Sequence, residues 1–162
     1  MSMAEQLRIR KLEAGEIGEA SKLVGSVFDE FVAPLFSEEG VSQFRFFIEP
    51  SNLEKRLQRN SFILVAELDH EIVGVIAMRD WSHIFLLFVN GKQQRKGIAK
   101  RLLVAALHRC QDEGHPPEKV TVNSSPNAVK AYQRMGFIQI AEEETHQGIR
   151  ASPMELTIQD AS

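Results

Sequence analysis

Residues 91–100, GKQQRKGIAK, are the segment whose residue types and spacing best suit chemistry: two glycines and the bases Lys92, Arg95, Lys96 and Lys100, leading from an apolar run into an amphipathic pattern. A turn that opens a helix presents unpaired backbone N–H groups, and these together with the helix dipole favour phosphate or another anion. Gly97 lets the backbone come close to a ligand because no side chain stands in the way, and Ala99 adds little bulk. The nucleoside-triphosphate loop is excluded, since one residue too many separates Gly91 from Gly97 and Ile98 stands where that motif needs lysine. A dinucleotide fingerprint is excluded as well, because no G-x-G-x-x-G follows a first strand.

Few other side chains offer reactive chemistry. Tyr132 is the sole tyrosine and Cys110 the sole cysteine. Cys110 falls on the apolar face of a helical pattern with no histidine beside it, so it reads as core and not as a nucleophile. The histidines show neither H-x-x-x-H nor cysteine-paired spacing, and no metal site is predicted.

The elements that must position these residues follow from periodicity. LRIRKL alternates apolar and basic residues, as a half-buried first strand does. Residues 15–31 repeat apolar side chains at helical spacing and stop before Pro34. Phe44, Phe47 and Ile48 lie near helical spacing, and Asn52 is a candidate cap for a short helix through Leu57. This aromatic stretch fits either core-packed helices or a segment facing an acceptor. A hairpin is expected at 62–68 and 72–79, then a strand HIFLLFV apolar enough to be buried on both faces. A helix runs from near Gly97 toward Gly114, and KVTV is the next strand. Ser125 as cap and Pro126 at the first helical position open a further helix that Gly136 closes. FIQIAEEE and PMELTI supply two last strands around a polar loop. The result is an α/β (mixed α+β) arrangement, a mixed sheet covered by helices.

At 162 residues with a net charge of −3, a single domain over 1–162 is expected, with no dedicated nucleic-acid or membrane partner. The lone cysteine and the lack of an apolar leader or spanning run point to a cytoplasmic protein.

The segment QRKGIA, Gln94 to Ala99, resembles the Q-x-x-G-x-G/A signature of the Gcn5-related N-acetyltransferase family. HIFLLFVNGKQQRKGIAKRLL is similar to that family's fourth strand, pyrophosphate loop and third helix. VTVNSSPNAVKAYQRMGF is similar to its fifth strand and fourth helix, and GIRASPMEL to the entry of its last strand. The resemblance implies a mostly antiparallel mixed sheet whose fourth and fifth strands splay apart to admit acetyl-coenzyme A. It implies that the backbone N–H groups of Gln94, Arg95, Lys96, Gly97, Ile98, Ala99 and Lys100 clasp the pyrophosphate. The arm would run along the strand containing Phe88 and Val89, with Val89 polarising the thioester carbonyl through its main chain, and Asn123 and Ser125 would lie near the arm or the adenosine.

Tyr132, four residues before a Gly-Phe pair, holds the position that often serves the family as general acid toward the departing thiolate. The carboxylate that relatives often carry on the fourth strand is missing from IFLLFV. His83, just before that strand, is a candidate base or relay, or else a structural histidine; Glu30 and Asp29 could instead attract a cationic amine, and a solvent chain is a third route. Direct acetyl transfer to a small or amino-acid-like amine is the leading expectation. The alternatives are a protein lysine or N-terminal acetyltransferase and a non-catalytic acetyl-coenzyme A sensor. The apolar last strand MELTI could be an exposed pairing edge that a second subunit covers, and a homodimer is expected from general habit and not from any motif.

Overall fold

The computed structural model describes residues 6–159. One sheet runs through the molecule in the order β1-β2-β3-β4-β5-β8-β6, with β7 paired to β8. Its first half is an antiparallel meander: β1 (Leu7–Lys11), β2 (Ser61–Leu68), β3 (Glu71–Arg79) and β4 (His83–Val89). The β2–β3 hairpin forms where apolar patterning predicts it, and its turn places Asp69 and His70 at positive φ. The second half consists of β8 (Ile149–Thr157) and the three strands antiparallel to it, β5 (Lys119–Ser124), β6 (Ile138–Gln139) and β7 (Glu144–His146).

The two halves meet at β4 and β5, which run parallel and pair only at His83↔Thr121 and Ile84↔Val122. Beyond Ile84 they part. The register between β3 and β4 slips at that point, with Ala77 opposite Leu86 and Met78 opposite Ile84, so Phe85 is an extra residue on β4. A bulge bends and twists its strand, and this one sits where β4 leaves β5. It also re-aims side chains. Ile84, Leu87 and Val89 face one side of the sheet, while Phe85, Leu86 and Phe88 face the other.

Helices cover both faces. On one, α4 (Ile98–Asp112) packs Ile98, Leu102, Leu103, Ala106 and Cys110 against β2, β3 and β4, and Cys110 is a core residue as expected. Gly74 is the point of closest approach, where an added methyl would press on Leu102 and Ile98. The short α5 (Val129–Arg134) buries Tyr132 on the same side. On the other face lie α1 (Ile17–Phe31), α2 (Glu38–Phe47) and α3 (Pro50–Arg56). Arg10 ties β1 to the start of α1 through paired 2.8 Å bonds to the Glu16 carboxylate, which this guanidinium holds at a pKa of about 2.

Three expectations are corrected. Asn52 is not a cap: Pro50 begins α3 with Glu49 before it, which leaves Asn52 inside the first turn, where its amide donates to the Phe46 carbonyl at 2.8 Å. Proline takes the first helical position readily because it has no N–H to satisfy. Ser125 precedes a 3-10 turn, Pro126–Ala128, but makes no side-chain capping bond. The last strand is an edge only in part: Met154 and Glu155 of β8 pair with β5 on one side and β6 on the other, whereas Leu156 and Thr157 pair with β5 alone.

Candidate active site

The gap between β4 and β5 opens into a cleft of about 1120 Å³ that reaches both faces of the sheet. Its backbone geometry follows from the β3–β4 ladder. Asn90 donates to the Val73 carbonyl at 2.8 Å with Gly74 opposite Val89. In an antiparallel pair, neighbouring residues alternate in which side they bond. The N–H and C=O of Val89 therefore point away from β3, toward the gap. The Val89 carbonyl accepts a bond from the Gln94 side-chain amide at 3.0 Å, which fastens the loop to the strand end. The N–H of Val89 is left facing the opening.

The loop after β4 is built to leave donors free. Arg95 sits at φ 64 and Gly97 at φ 79, so the chain makes a left-handed turn twice before α4 begins. Gly97 occupies the N-cap position with no side-chain cap, and the helical ladder starts with Arg101 donating to the Gly97 carbonyl at 3.0 Å. The N–H groups of Ile98, Ala99 and Lys100 lie ahead of that first bond. A methyl added at Gly97 would meet nothing within 4 Å, so the space before the helix is open. These features fit a phosphate-bearing ligand.

The cleft brings together most of the residues singled out from sequence. Phe88, Val89, Gln94, Arg95, Gly97, Ile98, Ala99 and Lys100 line it from the strand and loop, and Asn123, Ser125 and Tyr132 from the far side. The Lys96 side chain instead turns back to the Gln93 amide oxygen at 3.1 Å, and Lys96 is outside the lining. Tyr132 is 6% exposed, its ring edge-on to Phe137 at 5.2 Å. Burial alone pushes its hydroxyl well above the ordinary tyrosine pKa, so the group stays protonated through the neutral range.

His83 does not join them. It lies at the closed end of the gap, where β4 and β5 still pair, with Nδ1 2.7 Å from the Thr121 hydroxyl oxygen. Burial, reinforced by the positive charge of Arg79, lowers its pKa from 6.5 to about 4. The arrangement is that of a structural histidine. Glu30 and Asp29 are likewise outside the lining, and Asp29 is paired with Arg45 at 2.8 Å.

Other lining residues were not anticipated. Glu144 closes the stretch FIQIAEEE read as one strand, which the fold divides into β6 and β7, and His146 lies in the segment read as a polar loop; the two share a face of β7, with Glu144 Oε2 2.9 Å from His146 Nε2. A three-residue polar strand has no apolar alternation to mark it. Arg56, Phe47 and Phe85 also line the cleft. Among the described residues, no group of three His, Cys, Asp or Glu side chains could hold a metal ion, and no helix is long and apolar enough to cross a membrane.

A sheet split between its fourth and fifth strands, with an uncapped helix start at the mouth of the split, defines the class of fold. Solved structures share it. A GCN5-related N-acetyltransferase from Rhodopseudomonas palustris superposes with a TM-score of 0.80 at 17% identity, covering 96% of this chain and 99% of that one. The PaiA N-acetyltransferase of Thermoplasma acidophilum, solved in complex with coenzyme A, gives 0.77 at 20% identity over 94% and 99%. The ribosomal-protein-S18-alanine N-acetyltransferase of Escherichia coli gives 0.66 at 15% over 97% of each chain. No curated protein matches the sequence. The model of the acetyltransferase (GNAT) domain matches residues 32–158, and the chain belongs to that family.

Proposed function

We propose that the protein is an acetyl-coenzyme A-dependent N-acetyltransferase whose acceptor is a small primary amine. The observation that carries this reading is the convergence on one cleft of an open helix start at Gly97, an inward-facing Val89 N–H and the buried, protonated Tyr132. The N–H groups from Ile98 to Lys100 bind the pyrophosphate, and the Arg95 and Lys100 side chains add charge. The arm lies in the gap, where the Val89 N–H polarises the thioester carbonyl, a kind of stabilisation worth a few kcal/mol (roughly 3).

The amine nitrogen bonds to the acyl carbon as the carbon–sulfur bond breaks. Tyr132 gives its proton to the leaving sulfur, and the proton lost from nitrogen passes to the Glu144–His146 pair at the cleft wall. A carboxylate bonded to one imidazole nitrogen orients the ring so that the other can accept a proton. His83 has no part in this scheme.

Acetyl transfer to a panel of amines, followed by release of the coenzyme thiol, tests the reading. Tyr132→Phe is expected to cut turnover roughly a hundredfold, the low end for a general acid because a thiolate leaves readily, with little change in coenzyme affinity. His146→Ala is expected to slow transfer and to regain rate as pH rises and free amine forms in solvent. Wild-type turnover in Tyr132→Phe would remove it from the chemistry.

A further inference from the structure

Eight of the chain's ten phenylalanines line the cleft, far more than a pantetheine channel requires: Phe28, Phe31, Phe36, Phe44, Phe46, Phe47, Phe85 and Phe88. On the helix-covered face opposite α4, the rings of six of them, all but Phe31 and Phe46, form a connected wall. Phe44 stacks on Phe28 at 4.2 Å and approaches Phe88 at 5.8 Å and Phe47 at 6.0 Å, and Phe47 meets Phe85 edge-on at 6.1 Å. The wall thus runs from Phe88, next to the Val89 N–H, across Phe44 to Phe47, and returns from Phe47 to β4 at Phe85. Over Phe47 lies the guanidinium of Arg56, 4.1 Å from the ring centroid.

Arg56 differs from its neighbour. Arg45 is neutralised by Asp29, whereas Arg56 forms no ion pair among the described residues. It lines the cleft, and the one carboxylate in the lining, Glu144, already bonds His146. The far end of the aromatic wall is therefore a cation that a ligand could neutralise.

The cleft is also ringed. The start of α2 meets the β7–β8 turn so tightly that a methyl on Gly40 or on Gly148 would run into the other's backbone. Beside this contact, Arg150 donates to the Leu35 carbonyl at 3.2 Å. A closed ring suits a small molecule better than a polypeptide lying across an open groove.

Resting on the proposed acetyl transfer, we infer that the acceptor is a small amine with a flat apolar or aromatic body and an anionic group, carboxylate or similar, at the end remote from the amine. The amine reaches the thioester beside Phe88, the body packs on Phe44 and Phe47, and the anion pairs with Arg56. Phe47 supports the guanidinium from below by a cation–π contact. An α-amino acid fits poorly, because its carboxylate is adjacent to its amine while Arg56 is separated from Phe88 by the breadth of the wall.

The test compares three acceptors with the full-length protein: 3-phenylpropylamine, its para-carboxylate analogue, and 1,4-diaminobutane, with a lysine-containing peptide as a fourth. Acetyl-coenzyme A binding is measured separately by calorimetry. The proposal expects kcat/KM to fall in the order carboxylated arylamine, arylamine, diamine, with roughly a tenfold gap at the first step from one charge-assisted contact. Arg56→Gln should bring the ratio of the first two toward one, and Arg56→Lys should restore part of it. Preference for the diamine or the peptide, or a ratio that Arg56→Gln leaves intact, overturns the proposal while the acetyltransferase reading stands. Coenzyme binding without acetylation of either arylamine also counts against it. Absence of both binding and turnover would bring down the acetyltransferase reading itself.

Discussion

At the scale of single residues, the same histidine type occupies two different settings. His146 lies on the cleft wall beside a carboxylate, and His83 is wedged between strands, where burial disfavours its charged form. The second setting has a consequence for stability. As pH falls through about 6.5 the unfolded chain takes up a proton at His83 that the folded chain refuses until about 4. Stability therefore declines with falling pH across that window and loses nothing more from this group below it. His83→Asn should flatten that part of the curve, recovering on the order of 1–2 kcal/mol at pH 4. Urea melts of both proteins at pH 7 and pH 4 measure it; parallel losses in the two would show that His83 is not held neutral by the fold. What sequence could say of these residues was uneven. Tyr132 and Gly97 were legible because a motif marks them. The Glu144–His146 pair was not, because Glu144 reads as the polar end of the strand FIQIAEEE and His146 as loop until β8 supplies a partner strand.

At the scale of elements, the bulge at Phe85 and the left-handed turn at Gly97 do the positioning: one parts β4 from β5, the other aims N–H groups at the mouth of the gap. Gly97→Val tests the turn. A β-branched residue at φ 79 is strained by roughly 1–3 kcal/mol, and its methyls would occupy the open space before α4. The expected outcome is a modest fall in melting temperature with at least about a tenfold loss of coenzyme affinity, read by calorimetry. A melting change with unaltered affinity would place the ligand elsewhere. The β2–β3 hairpin and α4 could be read from apolar pattern because the hairpin is buried over most of its length and α4 along one whole face. The aromatic stretch could not be resolved by periodicity, since Phe44 and Phe47 repeat as core residues do and line the cleft as well.

At the scale of the whole molecule, the two halves of the sheet diverge, and packing on the far side rejoins them. The contact between Gly40 and Gly148 links the helices over β4 to the β7–β8 hairpin and so closes the cleft on that side, at the proposed acceptor end. Gly148→Ala would press against the Ser37 hydroxyl and the Gly40 backbone at an already left-handed φ of 81. It should cost roughly 2 kcal/mol or more and raise KM for the amine more than for the coenzyme. Equal effects on both substrates would mean that the ring does not shape the acceptor end. The order of elements along the chain follows from strand and helix pattern, and the split in the sheet from the family resemblance, whereas this closure depends on two glycines far apart in sequence that nothing local connects.

The central claim is that the cleft binds acetyl-coenzyme A through the loop before α4 for transfer to an amine. Its most direct test is calorimetric titration of the protein with acetyl-coenzyme A, with Gly97→Val as the comparison. The expected result is saturable binding of one equivalent in the micromolar range, strongly weakened in the variant. No heat and no thermal stabilisation at high ligand concentration would contradict it.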